Sequence, residues 1–280
     1  MNVTPEDGRY RDKLFDKLAP YVSEAAYVRA RIIVESLWLR FLIHEVLPAG
    51  TVALQDEDIQ KIMKFADEMP VEFTLRVGQI EDKTRHDVIG MITALREKFS
   101  DILTPQTEGY VHLGLTSEDV NDLSQKIMFI NALKNVLMPQ AETLVKTFRD
   151  VSKKFDALPD DANEGSTLSA RYAYYADEIE RYIPLIFHPD YLTVKFSGAT
   201  GTHAAMGIIK QDRDTGKNIA TRFTSQVAPD LHYLPVTDQI NPHDDLVIWS
   251  CCVYEFANML EQFCKYIWED SGQDIWLDEK

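Results

Sequence analysis

From Ser23 to Leu47 apolar side chains return at helical spacing (Ala26, Ile33, Leu37, Phe41), with Ser23 able to cap the start and Pro48 following the end. That spacing predicts one long amphipathic helix. The period returns over Asp56 to Met69 and Val71 to Glu81, separated by Pro70, and over His86 to Phe99, which ends before a loop around Pro105. A second long helix is expected from Ser117, which can cap it, with Glu118 and Asp119 in the first turn and a stripe of Val120, Leu123, Ile127, Ile130, Leu133 and Leu137. Pro139 should kink or break that helix before the period resumes toward Phe155. An acidic loop, Pro159 to Thr167, precedes a helix from Leu168 to Phe187. Val194 to Gly201 reads as a glycine-bearing connector, and short helices are expected between Ala204 and Val227. Asn241 as cap, Pro242 at the first helical position, and Asp244 and Asp245 in the first turn open a last helix toward Trp268. No strand-period alternation of useful length occurs, so the expectation is an all-α chain.

A length of 280 residues with 45% apolar side chains is enough for a packed core. The formal net charge of −16 opposes broad binding to nucleic acid or an anionic membrane. The apolar run from Ile32 to Leu47 is interrupted by Glu35, Arg40, His44 and Glu45, which a membrane span would bury at high cost. Met1 to Lys13 lacks the apolar core of a signal peptide, and Cys251, Cys252 and Cys264 have no disulfide or zinc-knuckle spacing. A cytoplasmic protein is expected.

Several short strings can carry chemistry. Asp7-Gly8-Arg9-Tyr10-Arg11 offers an arginine fork and a phenol that could grip a phosphate, or is a surface turn. Thr84-Arg85-His86-Asp87 lies at a predicted helix start, where free N–H groups favour an anion and Asp87 could hold the His86 imidazole in one tautomer. On local grounds it reads rather as a capping cluster, with Thr84 as cap, Asp87 in the first turn and His86 exposed. His112 through Asp119 combines a histidine, Gly114, two hydroxyls and a helix N-terminus. Such a run can bind a carboxylate or phosphate through Thr116 and Ser117, or is a serine-capped helix. Ser197 to Gly201 has neither dinucleotide nor P-loop spacing and reads as a turn. His203 has no evident partner. Thr237 to Asp244 brings Gln239 and His243 to the start of the last helix. No second histidine stands at ligand spacing, so no metal and no cofactor is assigned.

In order along the chain, these strings resemble the adenylosuccinate lyases of the fumarase/aspartase superfamily. Asp7 to Tyr10 and Ser23-Glu24 match the family's opening, Thr84 to Val88 its Thr-x-His-Asp-Val segment, and His112 to Asp119 its His-x-Gly-Leu-Thr-Ser-x-Asp segment. Lys195 to Gly201 matches a lysine with Phe-x-Gly-Ala-Thr-Gly, and Thr237 to Asp244 matches Thr-x-Gln-Ile-x-Pro-His-Asp. The resemblance implies a helical N-terminal domain over residues 1–110 and part of a long-helix bundle over 111–280, without the family's C-terminal domain. It implies β-elimination of fumarate from adenylosuccinate or the succinylated carboxamide ribotide of purine biosynthesis. Arg9 and Tyr10 would meet the phosphate, Arg85, His86 and Asp87 the nucleotide, and Thr116 and Ser117 the succinyl carboxylates. Gln239 would be a further hydrogen-bond partner, and His86 and His112 would have supporting catalytic roles. The implied partners are a purine nucleotide, adenylosuccinate or AMP, and further copies of the chain, the family being tetrameric.

Two family segments have no match. The Thr-His-Gly-Gln segment with the proposed acid is replaced by Pro159 to Thr167, and no Ser-Ser-x-Met-Pro-x-Lys-x-Asn loop with the proposed base occurs before Lys280. The sequence therefore reads as a truncated, diverged lyase, weak or inactive as a lone chain. The alternatives are a non-catalytic nucleotide-binding or regulatory homologue, or one half of a split lyase.

Overall fold

In a computed structural model of the chain, residues 8, 10–156, 165–188, 190–210 and 213–271 are described. A π-helical turn (Arg11–Phe15) leads into α1 (Asp16–Val22), neither of which the apolar period anticipated. Helix α2 (Glu24–Phe41) starts where Ser23 accepts the Ala26 N–H at 3.2 Å, and a π-helical turn (Leu42–Val46) completes it. Helix α3 (Asp56–Asp67) opens on a reciprocal pairing between Gln55 and Asp58, with acidic side chains along its first turn. Pro70 precedes α4 (Val71–Thr84), which ends on Arg85 in the left-handed region at φ 57°. Helix α5 (Asp87–Lys98) follows at once. Its cap is His86, not Thr84, because the Thr84 hydroxyl donates to the carbonyls of Ile80 and His86.

Helix α6 (Ser117–Ala132) passes without a break through a π-helical turn (Leu133–Leu137) to α7 (Met138–Asp156), and Pro139, expected to kink or break the helix, stands directly after that widened turn. Then come α8 (Gly165–Ile186), strand β1 (Thr193–Lys195), α9 (Ala204–Lys210), α10 (Arg213–Val227), strand β2 (His232–Leu234) and α11 (Asp244–Ser271). Helices dominate the described residues, as the all-α expectation required. The connector around Val194 nonetheless holds a short parallel pairing, Val194 opposite Tyr233, which the sequence was too short of alternation to signal. Helix α11 also begins later than expected. Asn241 is no cap: its buried amide donates to Asp122 instead, and His243, at φ 55°, stands before the first helical residue.

The described residues of 1–132 and 191–242 form one compact unit, and those of 133–190 and 243–271 a second. In the first, α2 packs on α3 and α6, and α4 on α5, around Ile32, Leu39, Ile62, Val88, Met91 and Leu95. Each such fully buried apolar side chain contributes about 1.5–3 kcal/mol. A separate aromatic cluster ties the later segments to α2: Trp38 meets Phe223 at 5.0 Å and Phe196 at 5.3 Å between ring centroids. In the second unit α7, α8 and α11 pack through Phe148, Tyr172 and Phe263. Among the described residues no helix is long and apolar enough to cross a membrane.

Candidate functional site

The floor of the candidate site is a buried carboxylate. Asp119 and Lys195 are both fully buried and form an ion pair. Asp119 also accepts the backbone N–H groups of Ser197 at 2.9 Å, Gly198 at 3.1 Å and Thr116 at 2.9 Å. Lys195 donates in addition to the Gly198 carbonyl at 2.8 Å. One helical turn on, Asp122 accepts the Lys195 N–H at 2.6 Å and the Asn241 amide. A low-dielectric site makes these bonds strong and their loss costly, so the start of α6, the 195–198 turn and the segment before α11 are held together. Gly201 shows how close the last approach is. At φ 67°, a Cβ there would lie 1.8 Å from the Thr237 carbonyl oxygen, so no other residue fits without moving the backbone.

Above this floor, family-like strings distant in sequence meet. The His86 ring accepts the Ile89 N–H at Nδ1 (3.4 Å), which leaves Nε2 to donate to the Ser117 hydroxyl at 3.2 Å. Gln239 donates to the Thr116 hydroxyl at 3.4 Å. Thr116, not Ser117, is the cap of α6: its carbonyl takes the Asp119 N–H and its own N–H meets the Asp119 carboxylate, as in a capping box. Ser117 lies inside the helix, which frees its hydroxyl for His86. The result is a half-exposed group of two hydroxyls, an amide and an imidazole at a helix N-terminus, suited to carboxylate or phosphate oxygens.

His112 is held from behind. Its Nδ1 lies 2.6 Å from Glu35 Oε1, and Trp38, one turn further along α2, donates to the Leu113 carbonyl at 2.9 Å. Burial opposes a charged imidazole here. The hydrogen bond and charge of Glu35, aided by Asp119 and opposed by Arg96, outweigh it, and the His112 pKa is raised above the ordinary histidine value.

The other expected residues are placed differently. Asp87 does not orient His86: its carboxylate pairs with Arg31 and takes the Val88 N–H at 2.8 Å, while the ring of His86 stands 3.5 Å away. Arg31 in turn is buried, bonds Asn121 at 2.9 Å and lies over the Tyr27 ring. Arg85 is exposed and makes no side-chain hydrogen bond among the described residues. Tyr10 is exposed beside the first π-helical turn and is not joined to the cluster. Arg9 and most of the Pro159 to Thr167 segment lie outside the described residues. His203, without a partner in the sequence reading, hydrogen-bonds Tyr233, and burial lowers its pKa while raising that of the phenol. Among the described residues no three His, Cys, Asp or Glu side chains are grouped to hold a metal.

Sequence reasoning missed Glu35 and the structural roles of Asp119, Asp122, Lys195 and Asn241. For Glu35 the signal was a carboxylate set inside an apolar helical face.

The chain belongs to the lyase family, whose profile matches residues 8–269. Within that family it is similar to adenylosuccinate lyases. It is 27% identical over 275 residues to the one from Escherichia coli (strain K12), 28% over 275 residues to that of Vibrio cholerae, and 25% over 273 residues to that of Buchnera aphidicola subsp. Baizongia pistaciae. Each match covers 95% of this chain, and the chain spans 58 to 59% of the length of these curated relatives. The resemblance read from motif order is thus borne out.

Proposed function

We propose that the chain serves purine nucleotide biosynthesis by holding adenylosuccinate, or the succinylated carboxamide ribotide, as the fumarate-releasing lyases do, and that alone it turns this ligand over slowly or not at all. The observation that supports the reading is the meeting of His86 with Ser117 and of Gln239 with Thr116 over one buried anchor. The hydroxyls and the N-terminal N–H groups of α6 suit a succinyl carboxylate, and exposed Arg85 suits a phosphate. In the elimination a base takes the proton from the carbon beside a carboxylate, the C–N bond breaks, and an acid protonates the departing nitrogen. No Thr-His-Gly string occurs in the 280 residues to supply that acid. Loss of one proton-transfer group lowers a rate by about 10²–10⁴. The oligomeric assembly, the cytoplasmic setting and the division near residue 110 belong to the same proposal.

The test is fumarate release from adenylosuccinate by the purified chain, with AMP binding read as a rise in melting temperature. Ligand at about 100 times its Kd should stabilise by roughly 2.7 kcal/mol. Turnover near ordinary enzyme rates of about 10 s⁻¹ would overturn the low activity, and no thermal shift at millimolar AMP would overturn the nucleotide site. The same missing string favours a second reading, a nucleotide-binding regulator without catalysis. In a split lyase, by contrast, fumarate release would return on adding a polypeptide that carries the unmatched segments.

A further inference from the structure

We propose that Glu35 is a positioning residue: from inside α2 its carboxylate holds the neutral His112 imidazole with the proton on Nδ1. Protonation then adds a hydrogen at Nε2, the nitrogen offered to an anionic group of the ligand. The ligand part of this inference rests on the nucleotide reading above; the Glu35–His112 pairing does not.

Glu35 is 1% exposed on a helical face otherwise built from side chains such as Ile32 and Leu39. A carboxylate there is costly unless paired, and Leu would pack without that cost. Its hydrogen bond among the described residues is to His112 Nδ1 at 2.6 Å, and Oε2 is buried with no partner. The acid is thus spent on the imidazole alone. The backbone is arranged to match. His112 adopts φ 67°, the left-handed region that costs a residue with a Cβ energy, and Gly114 follows at φ 78°. Trp38 fixes the Leu113 carbonyl from the same face of α2 that carries Glu35. His112 keeps 22% of its side chain exposed, and Nε2 has neither a partner among the described residues nor a place among the buried unpaired atoms. The free edge of the ring therefore reaches solvent.

The charged groups facing this ring are Glu35 from α2, Asp119 from α6 and Arg96 from α5, and their sum favours the imidazolium over the neutral ring despite burial. His86 is set the opposite way in its neutral form, with Nδ1 accepting from Ile89 and Nε2 carrying the proton. The two histidines are thus committed to different tautomers by different neighbours. Affinity for an anion at His112 should then disappear as pH rises through its folded-state pKa.

The experiment is a pH titration of the full chain labelled with ¹⁵N-histidine, without nucleotide, the His112 signals being assigned by their loss in His112→Asn. The expected result is an Nδ1–H tautomer in the neutral ring and a midpoint above the ordinary histidine value. In Glu35→Gln, which keeps the shape and removes the charge, that midpoint should fall to or below the ordinary value. AMP affinity should decline with pH across the wild-type midpoint and lose that dependence in Glu35→Gln. An Nε2–H tautomer in the neutral wild-type ring, or a midpoint unmoved by Glu35→Gln, overturns the proposal. Should Glu35→Gln not fold, the wild-type tautomer alone decides. A tautomer as expected with no AMP binding would support the pairing and overturn the nucleotide reading, which keeps the two failures distinct.

Discussion

Replacing Lys195 or Asp119 should destabilise this chain more than most single changes, and by unequal amounts. Both side chains are fully buried. Lys195→Met removes a charge at nearly constant shape, and the Asp119 carboxylate keeps its backbone donors from Ser197, Gly198 and Thr116. The charge left behind is partly solvated by the protein, so the loss should sit near about 3 kcal/mol, the lower end of the range for breaking a buried pair. Asp119→Asn strands a buried ammonium with the Gly198 carbonyl as its remaining acceptor among the described residues, and turns an amide N–H toward backbone donors. That loss should sit near about 5 kcal/mol, enough to unfold a domain of ordinary stability. The double variant leaves no uncompensated charge and should cost at least about 2 kcal/mol less than the sum of the singles. Urea unfolding, compared at constant slope, measures all three. Single losses within about 0.5 kcal/mol of wild type, as for surface changes, or strictly additive losses, would refute the assignment of this pair as the anchor of the site.

Three further outcomes follow from the same geometry. Gly201→Ala places a Cβ against the Thr237 carbonyl at positive φ, so it should lower the melting temperature and weaken AMP binding together; unchanged binding would mean that the 237–241 segment does not depend on this contact. Trp38→Phe keeps a ring in the cluster with Phe223 but leaves the Leu113 carbonyl without its indole donor, and should cost about 1–3 kcal/mol in urea unfolding. His112 and His203 should act on stability with opposite signs. The raised His112 pKa gives a contribution fully present below the ordinary histidine value and lost as pH rises through the folded value. The lowered His203 pKa gives one present above the ordinary value and lost as pH falls through the folded one. His112→Asn should therefore flatten the alkaline side of the stability profile, and His203→Gln the acid side, in chemical denaturation from pH 5 to 9 as the rough histidine window.

Much of the helical framework could be read from the residues. The period around Ala26, Ile33 and Leu37 found α2, and Pro70 separated α3 from α4, because side chains three and four apart share a face whatever the rest of the chain does. The caps were less legible. Ser23 caps α2 as read, yet Thr84, Ser117 and Asn241 yield that role, because each has a side chain or position claimed elsewhere. The parallel pairing of β1 with β2 escaped notice, since strands of three residues carry too little alternation to separate from a loop.

By itself the sequence determined the all-helical class, the order of the family-like strings and the residue types that could meet a carboxylate or phosphate. These rest on local period and on residue chemistry, both present before folding. The tertiary structure decided which groups meet. Asp119, expected only to favour a helix dipole, became the acceptor for Lys195, 76 positions away, and Glu35, an interruption in an apolar run, became the partner of His112, 77 positions away. A linear pattern carries no record of such pairings. They arise because burial forces each charge on an apolar face to find a partner, and the packing of α2 and α6 settles which partner is near.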